Sequence, residues 1–125
     1  MPFRCPECSG SKTLHITARL ELPPDSRSDE ITLQVVKCTD CRFAGIAVYE
    51  ESRRGALDSE SIQHIGYRVG ADDWKALQRA IKRCPKPDRW GCDCPAHQRF
   101  STYDASGRWN ALHQLALGEA FEMEL

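Results

Sequence analysis

No apolar run in this chain approaches the ~20 residues that a bilayer-spanning helix needs, so no membrane segment is expected. The opening stretch MPFRCPEC carries no apolar h-region, which argues against a secretory signal and for a reducing, cytoplasmic location. There is no Gly-rich phosphate loop and no G-x-S-x-G nucleophile turn. None of the four histidines opens an H-x-E or H-E-x-x-H pattern, which removes the familiar zinc-hydrolase and deaminase signatures. Net charge is −1, so the whole molecule is not a polycation built for a polyanionic partner. Leu, Ile, Val and Phe are few enough that a core made from them alone would be thin, a situation small domains offset with metals or disulfides.

Cysteine is what the chain has in quantity, with seven in 125 residues. An odd number cannot pair completely within one chain, and a reducing compartment favours thiolate–metal sites over disulfides. Four of the seven form two C-x2-C turns, Cys5-Pro6-Glu7-Cys8 and Cys38-Thr39-Asp40-Cys41. Each such turn points two thiolates to one side, and a hairpin between the turns brings four sulfurs around one tetrahedral ion. The residues between supply that hairpin. Thr13–Leu22 alternates polar and apolar positions, Pro23-Pro24-Asp25-Ser26 breaks it, and Glu30–Lys37 reads as the return strand, with Phe43–Glu50 as a third.

This arrangement resembles a zinc ribbon over residues 3–50. Its position and spacing are similar to the N-terminal zinc domain of bacterial zinc-ribbon antitoxins. The resemblance implies a structural Zn2+ held by Cys5, Cys8, Cys38 and Cys41. In those proteins a helix-turn-helix follows; after residue 50 this chain offers one convincing helix and a second Cys/His cluster, so the DNA-binding half of the family is not carried over.

The polar stretch Glu51–Ser61 reads as a linker or exposed turn, and Ser61–Val69 as a fourth strand. In GADDWKALQRAIKRCP, Asp72 is the expected N-cap. Trp74, Leu77, Ile81 and Cys84 fall on one helical face, and Pro85 ends the helix. Cys84 then leads into KPDRWGCDCPAH, so that Cys84, Cys92, Cys94 and His97 form a C-x7-C-x-C-x2-H group. A Cys3His zinc site is the favoured reading, closed and structural. The alternatives are a site in which His113 replaces Cys84, a catalytic zinc with three protein ligands and a water, a disulfide, or iron in place of zinc. With two metal sites, all seven cysteines have a role.

Beyond the second cluster, Arg99–Ala111 reads as a hairpin around DASG, a short helix follows over about Ala111–Leu117, and Glu119–Leu125 alternates as a terminal strand that pairs with its own sheet or a partner's edge. His15 and His64, each alone in a strand, are not taken as ligands. The expected fold class is α+β: a three-stranded zinc ribbon over 1–55 and a unit over 60–125 with one main helix, a β-hairpin and the Cys3His site, the two lying side by side or packed as one domain. The expected function is non-enzymatic, a zinc-binding interaction module or accessory subunit with a protein partner and two Zn2+ per chain. The alternative is RNA or DNA binding through Lys75, Arg79, Lys82, Arg83, Lys86 and Arg89, with Trp90, Arg99 and Phe100 continuing that face. A metalloenzyme using the second zinc is the third reading.

Overall fold

The computed structural model describes residues 2–52 and 61–125. Its elements in chain order are β1 (Leu14–Leu22), β2 (Glu30–Cys38), β3 (Ala44–Ser52), β4 (Ser61–Val69), α1 (Ala71–Lys82), α2 (Pro95–Phe100), a 3-10 turn (Ala111–Gln114) and β5 (Leu117–Glu122). The class is α+β. Five strands form one sheet in the order β1-β2-β3-β4-β5, each pair antiparallel. Most of the linker expected between Glu51 and Ser61 lies outside the described residues; its ends, Ser52 and Ser61, are paired across β3 and β4. No helix among the described residues is long and apolar enough to cross a membrane.

β2 is buried at six consecutive positions, Ile31 to Val36, because both faces of the sheet are covered at its centre. On one face Leu20, Leu33, Val35, Ile46 and Val48 meet α1 through Trp74, Leu77 and Ile81. Val36 points the other way, as strand alternation requires, into a second cluster with Phe3, Leu14, Phe43, Ala47 and Met123. The Trp74 indole N–H donates to the Val36 carbonyl at 3.0 Å, which fixes α1 across β2.

Three local expectations change. The α1 N-cap is Gly70, with no side-chain cap; Asp72 and Asp73 instead sit inside the first turn, where the helix dipole favours negative charge. Arg99 and Phe100 belong to α2, so the hairpin over 99–111 is present in shortened form, as a single bridge between Tyr103 and Trp109. The aromatic spacing concealed that helix, which begins where Cys94 caps it and Pro95 takes its first turn. The helix expected over Ala111–Leu117 is a single 3-10 turn, Ala111–Gln114. The terminal strand pairs with β4 of its own sheet.

Gly66 on β4 faces Phe121 on β5, and a Cβ added there would lie 2.3 Å from the Phe121 ring. Gly66→Ala is therefore expected to push Phe121 off the sheet and to cost about 1–2 kcal/mol; an unchanged melting temperature would show that the ring moves freely.

Candidate metal centres

The first cluster is assembled by the sheet. Phe3 exchanges backbone hydrogen bonds with Leu14 at 2.7 and 2.9 Å, and Leu14 is paired with Cys38 across β1 and β2. The Cys5–Cys8 turn is thereby laid against the Cys38–Cys41 turn. Cys5 and Cys41 sulfurs are 3.6 Å apart and Cys8 and Cys38 sulfurs 3.8 Å, with all four within 4.8 Å of one another. A disulfide needs about 2.05 Å, and none of the seven cysteines forms one. Metal–sulfur bonds of about 2.3 Å place the sulfurs of a tetrahedral site about 3.8 Å apart. The spacing fits a metal ion. Backbone N–H groups of Asp40 and Phe43 donate to Cys38 and Cys41 at 3.3 and 3.4 Å. The segment after Cys8 carries two residues in the left-handed region, Ser9 (φ 59°) and Lys12 (φ 61°), which turn the chain back toward β1.

The thiols do not ionise alike. At Cys38 burial opposes the thiolate, but Thr13 Oγ1 at 3.2 Å, the Asp40 and Cys41 N–H groups and the Cys41 thiol outweigh it and bring the thiol down to about 6. At Cys41 the Phe43 N–H favours the thiolate; burial and the Cys38, Cys5 and Cys8 sulfurs win, pushing it up to about 12. Cys5 is raised, chiefly by burial. Four sulfurs this close hold protons against one another, and a dication removes that conflict by releasing the protons.

The second cluster joins the end of α1 to the start of α2. Cys84 lies just beyond α1, its N–H bonded to the Ile81 carbonyl at 3.0 Å. Cys94 caps α2 and accepts the His97 N–H at 3.4 Å. Cys84 and Cys92 sulfurs are 3.8 Å apart, and His97 Nδ1 lies 3.4 Å from Cys84 and 3.1 Å from Cys94. The four donor atoms again fall within 4.8 Å. His97 is 1% exposed, and its Nε2 is 2.9 Å from the Glu21 carbonyl. A carbonyl accepts only, so Nε2 carries the proton and the Nδ1 lone pair faces the sulfurs, the tautomer a metal ligand requires. Cys94 is brought down to about 7: burial opposes the thiolate, and the His97 N–H and ring, with Cys84 and Cys92, outweigh it. Cys84 goes up to about 12 through burial and its Cys94 and Cys92 neighbours.

This cluster also closes the sheet. Glu21 on the outer edge of β1 donates its N–H to the Pro87 carbonyl at 2.8 Å and receives His97 on its own carbonyl. The loop carrying the metal donors covers an edge strand that would otherwise present unpaired backbone.

His113 is exposed and bonded to the Asn110 carbonyl, outside both clusters, and Cys84 takes the fourth position. His64 Nε2 donates to Gln34 Oε1 at 2.6 Å, the ring lies edge-on to Phe3 and Tyr49, and burial lowers its pKa; it joins no metal group among the described residues. Lys75, Arg79, Lys82, Arg83, Lys86 and Arg89 are all exposed, and none makes an ion pair among the described residues. Trp90 is 52% exposed. Phe100 is fully buried in the main core, so it cannot continue the basic face as a stacking group. Sequence reasoning missed the Glu21 carbonyl, which no side chain announces, and Thr13 beside Cys38. No family model, curated protein or solved structure matches this chain.

Proposed function

We propose that the chain is a non-enzymatic, zinc-binding interaction module, a ribbon-like sheet with two closed Zn2+ sites that holds a rigid surface for a partner in a larger assembly. The observation that carries this reading is the donor count. Each cluster supplies four protein donors at tetrahedral spacing, which leaves no position for the water that a catalytic zinc keeps. Cys5, Cys8, Cys38 and Cys41 would hold one ion, and Cys84, Cys92, Cys94 and His97 the other. Bound there, the ions supply cross-links rather than Lewis-acid chemistry.

Elemental analysis of protein purified without added metal is expected to give two zinc ions per chain, with all thiols free after denaturation in chelator. Iron in either site would reassign the metal, since thiolate-rich sites hold both. A single zinc ion would remove one of the two staples.

A protein is the first partner expected. Nucleic acid is the second reading, and one observation favours it: the six basic side chains from Lys75 to Arg89 reach solvent without ion-pair partners among the described residues, as side chains that neutralise phosphates do.

A further inference from the structure

A groove of about 640 Å3 runs between the first cysteine cluster and the start of α1. Its walls carry His15 from β1, Lys37 from β2, Thr39 and Arg42 from the Cys38–Cys41 turn and its flank, and Trp74 and Lys75 from α1. No carboxylate of the described residues lines it; Asp40, Asp72 and Asp73 are near in sequence but are not among its lining residues. Lys37, Arg42 and Lys75 are exposed and make no ion pair among the described residues. Lys37 Nζ instead lies over the Trp74 ring, 5.8 Å from its centre.

We propose that this groove binds the backbone of a single-stranded nucleic acid, which enters along Lys37, Arg42 and Lys75 and continues down the outer face of α1. The proposal rests on the nucleic-acid reading above and gives it a second wall, from the sheet side, that the helix alone does not provide. A loaded four-thiolate cluster carries two net negative charges. Those charges lie in the groove floor, where Asp40 and Phe43 N–H groups already point at Cys38 and Cys41. Lys37, Arg42 and Lys75 are exposed, whereas Cys38 is buried and Cys41 half-buried, so an incoming phosphate meets the cations first. α1 is 12 residues long, about 18 Å at 1.5 Å per residue, which matches about five phosphates of a stacked strand at 3.4 Å each. Beyond it, Trp90 stands exposed after Lys86 and Arg89. An exposed indole next to cations is a stacking platform for an unpaired base, which argues for one strand over a duplex. A protein-binding core would be depleted in charge, and this groove has three cations.

The test is fluorescence anisotropy of labelled dodecauridine with the zinc-loaded full chain, starting in about 50 mM salt. Binding is expected to weaken with salt on a log–log slope of about −4, for Lys37, Arg42, Lys75, Arg79, Lys82 and Arg83 at about −0.7 each. The pair Lys37→Glu and Arg42→Glu is expected to lower affinity at least tenfold with metal content unchanged; should it lose metal, Lys37→Gln and Arg42→Gln repeat the measurement and are expected to flatten the slope by about 1.4. The pair Lys82→Glu and Arg83→Glu separates groove from helix. If both pairs weaken binding, the groove is the site. If only the helix pair does, the groove proposal is overturned and the nucleic-acid reading stands. If the unmodified chain does not bind, both are overturned and a protein partner is left. Equal competition by a duplex of the same length overturns the single-strand assignment.

Discussion

A Cys94→Ser chain is expected to bind one metal ion instead of two and to lose about 5 kcal/mol of stability or more, set against the ~10–16 kcal/mol that a structural zinc supplies to small peptides. Cys94 does two things at once. It is a donor in the second cluster, and its sulfur caps α2 by accepting the His97 N–H. The chain from Cys84 to Phe100 has no other regular structure than that six-residue helix. Ordering such a segment costs about 1–2 kcal/mol per residue. Burying Phe100 and Ala96 returns about 3–4 kcal/mol, which falls far short without the metal. Release of the segment would also uncover the β1 edge, where Glu21 is bonded to Pro87 and His97. The readout is hydrogen exchange: amides of residues 85–100 and of Glu21 should lose protection while β2 and β3 keep theirs. Cys8→Ser should remove the first ion with a smaller effect, because the β1–β2–β3 ladder holds Cys38 and the base of that cluster in place independently. Undiminished protection at 85–100 in the Cys94→Ser chain would mean that packing, not the metal, orders the loop.

Why this cluster was readable in the sequence and its surroundings were not comes down to range. Strict alternation in Leu14–Leu22 and the spacing of Trp74, Leu77 and Ile81 are local signals, and both elements form where they indicate. The two C-x2-C turns are local as well, and a hairpin between them is enough to join them. Cys84 and His97 are separated by a loop, yet a four-donor count and the supply of seven cysteines brought them together. α2 escaped notice because a Cys–Pro start leaves little mark beside an aromatic stretch that reads as strand. The Glu21 carbonyl, 76 positions from His97, is a backbone atom and has no sequence signature at all. In sequence Lys37 ends the strand expected over Glu30–Lys37 and Arg42 follows the second C-x2-C turn; their meeting with Lys75 depends on α1 crossing the sheet beside the first cluster. β2 shows the same limit from the other side. Its polar Thr32 and Gln34 suggest an exposed face, and both are buried because neighbours cover that face too.

Asp25→Asn is expected to cost about 2–4 kcal/mol near neutral pH, the penalty for turning an acceptor of a buried, fully hydrogen-bonded carboxylate against two of its donors. The Asp25 side chain is fully buried in the β1–β2 loop. Oδ1 accepts the N–H groups of Arg27 and Ser28 at 2.8 and 2.6 Å; Oδ2 accepts the Trp109 N–H and the Arg108 guanidinium, both at 2.8 Å. This one carboxylate ties the β1–β2 loop to the turn at 103–109, whose Arg108 also reaches Glu50 on β3. Asparagine has the same shape but turns one acceptor into a donor, so two of the four donors would face an N–H2 group. Burial would raise the Asp25 carboxyl, but the Ser28, Trp109 and Arg27 N–H groups and the Arg108 charge outweigh it and hold it below its ordinary value. A folded-state pKa depressed in this way contributes stability that is complete above the unfolded value of about 3.9 and disappears as pH falls through the folded one. Metal release should come first on acidification, because the thiolate donors take up protons at higher pH than a depressed carboxyl does. Urea titrations of the zinc-loaded chains at pH 7 measure the gap directly. A gap below about 1 kcal/mol would place Asp25 among exposed ion pairs in energetic terms, and the turn at 103–109 would then need another anchor.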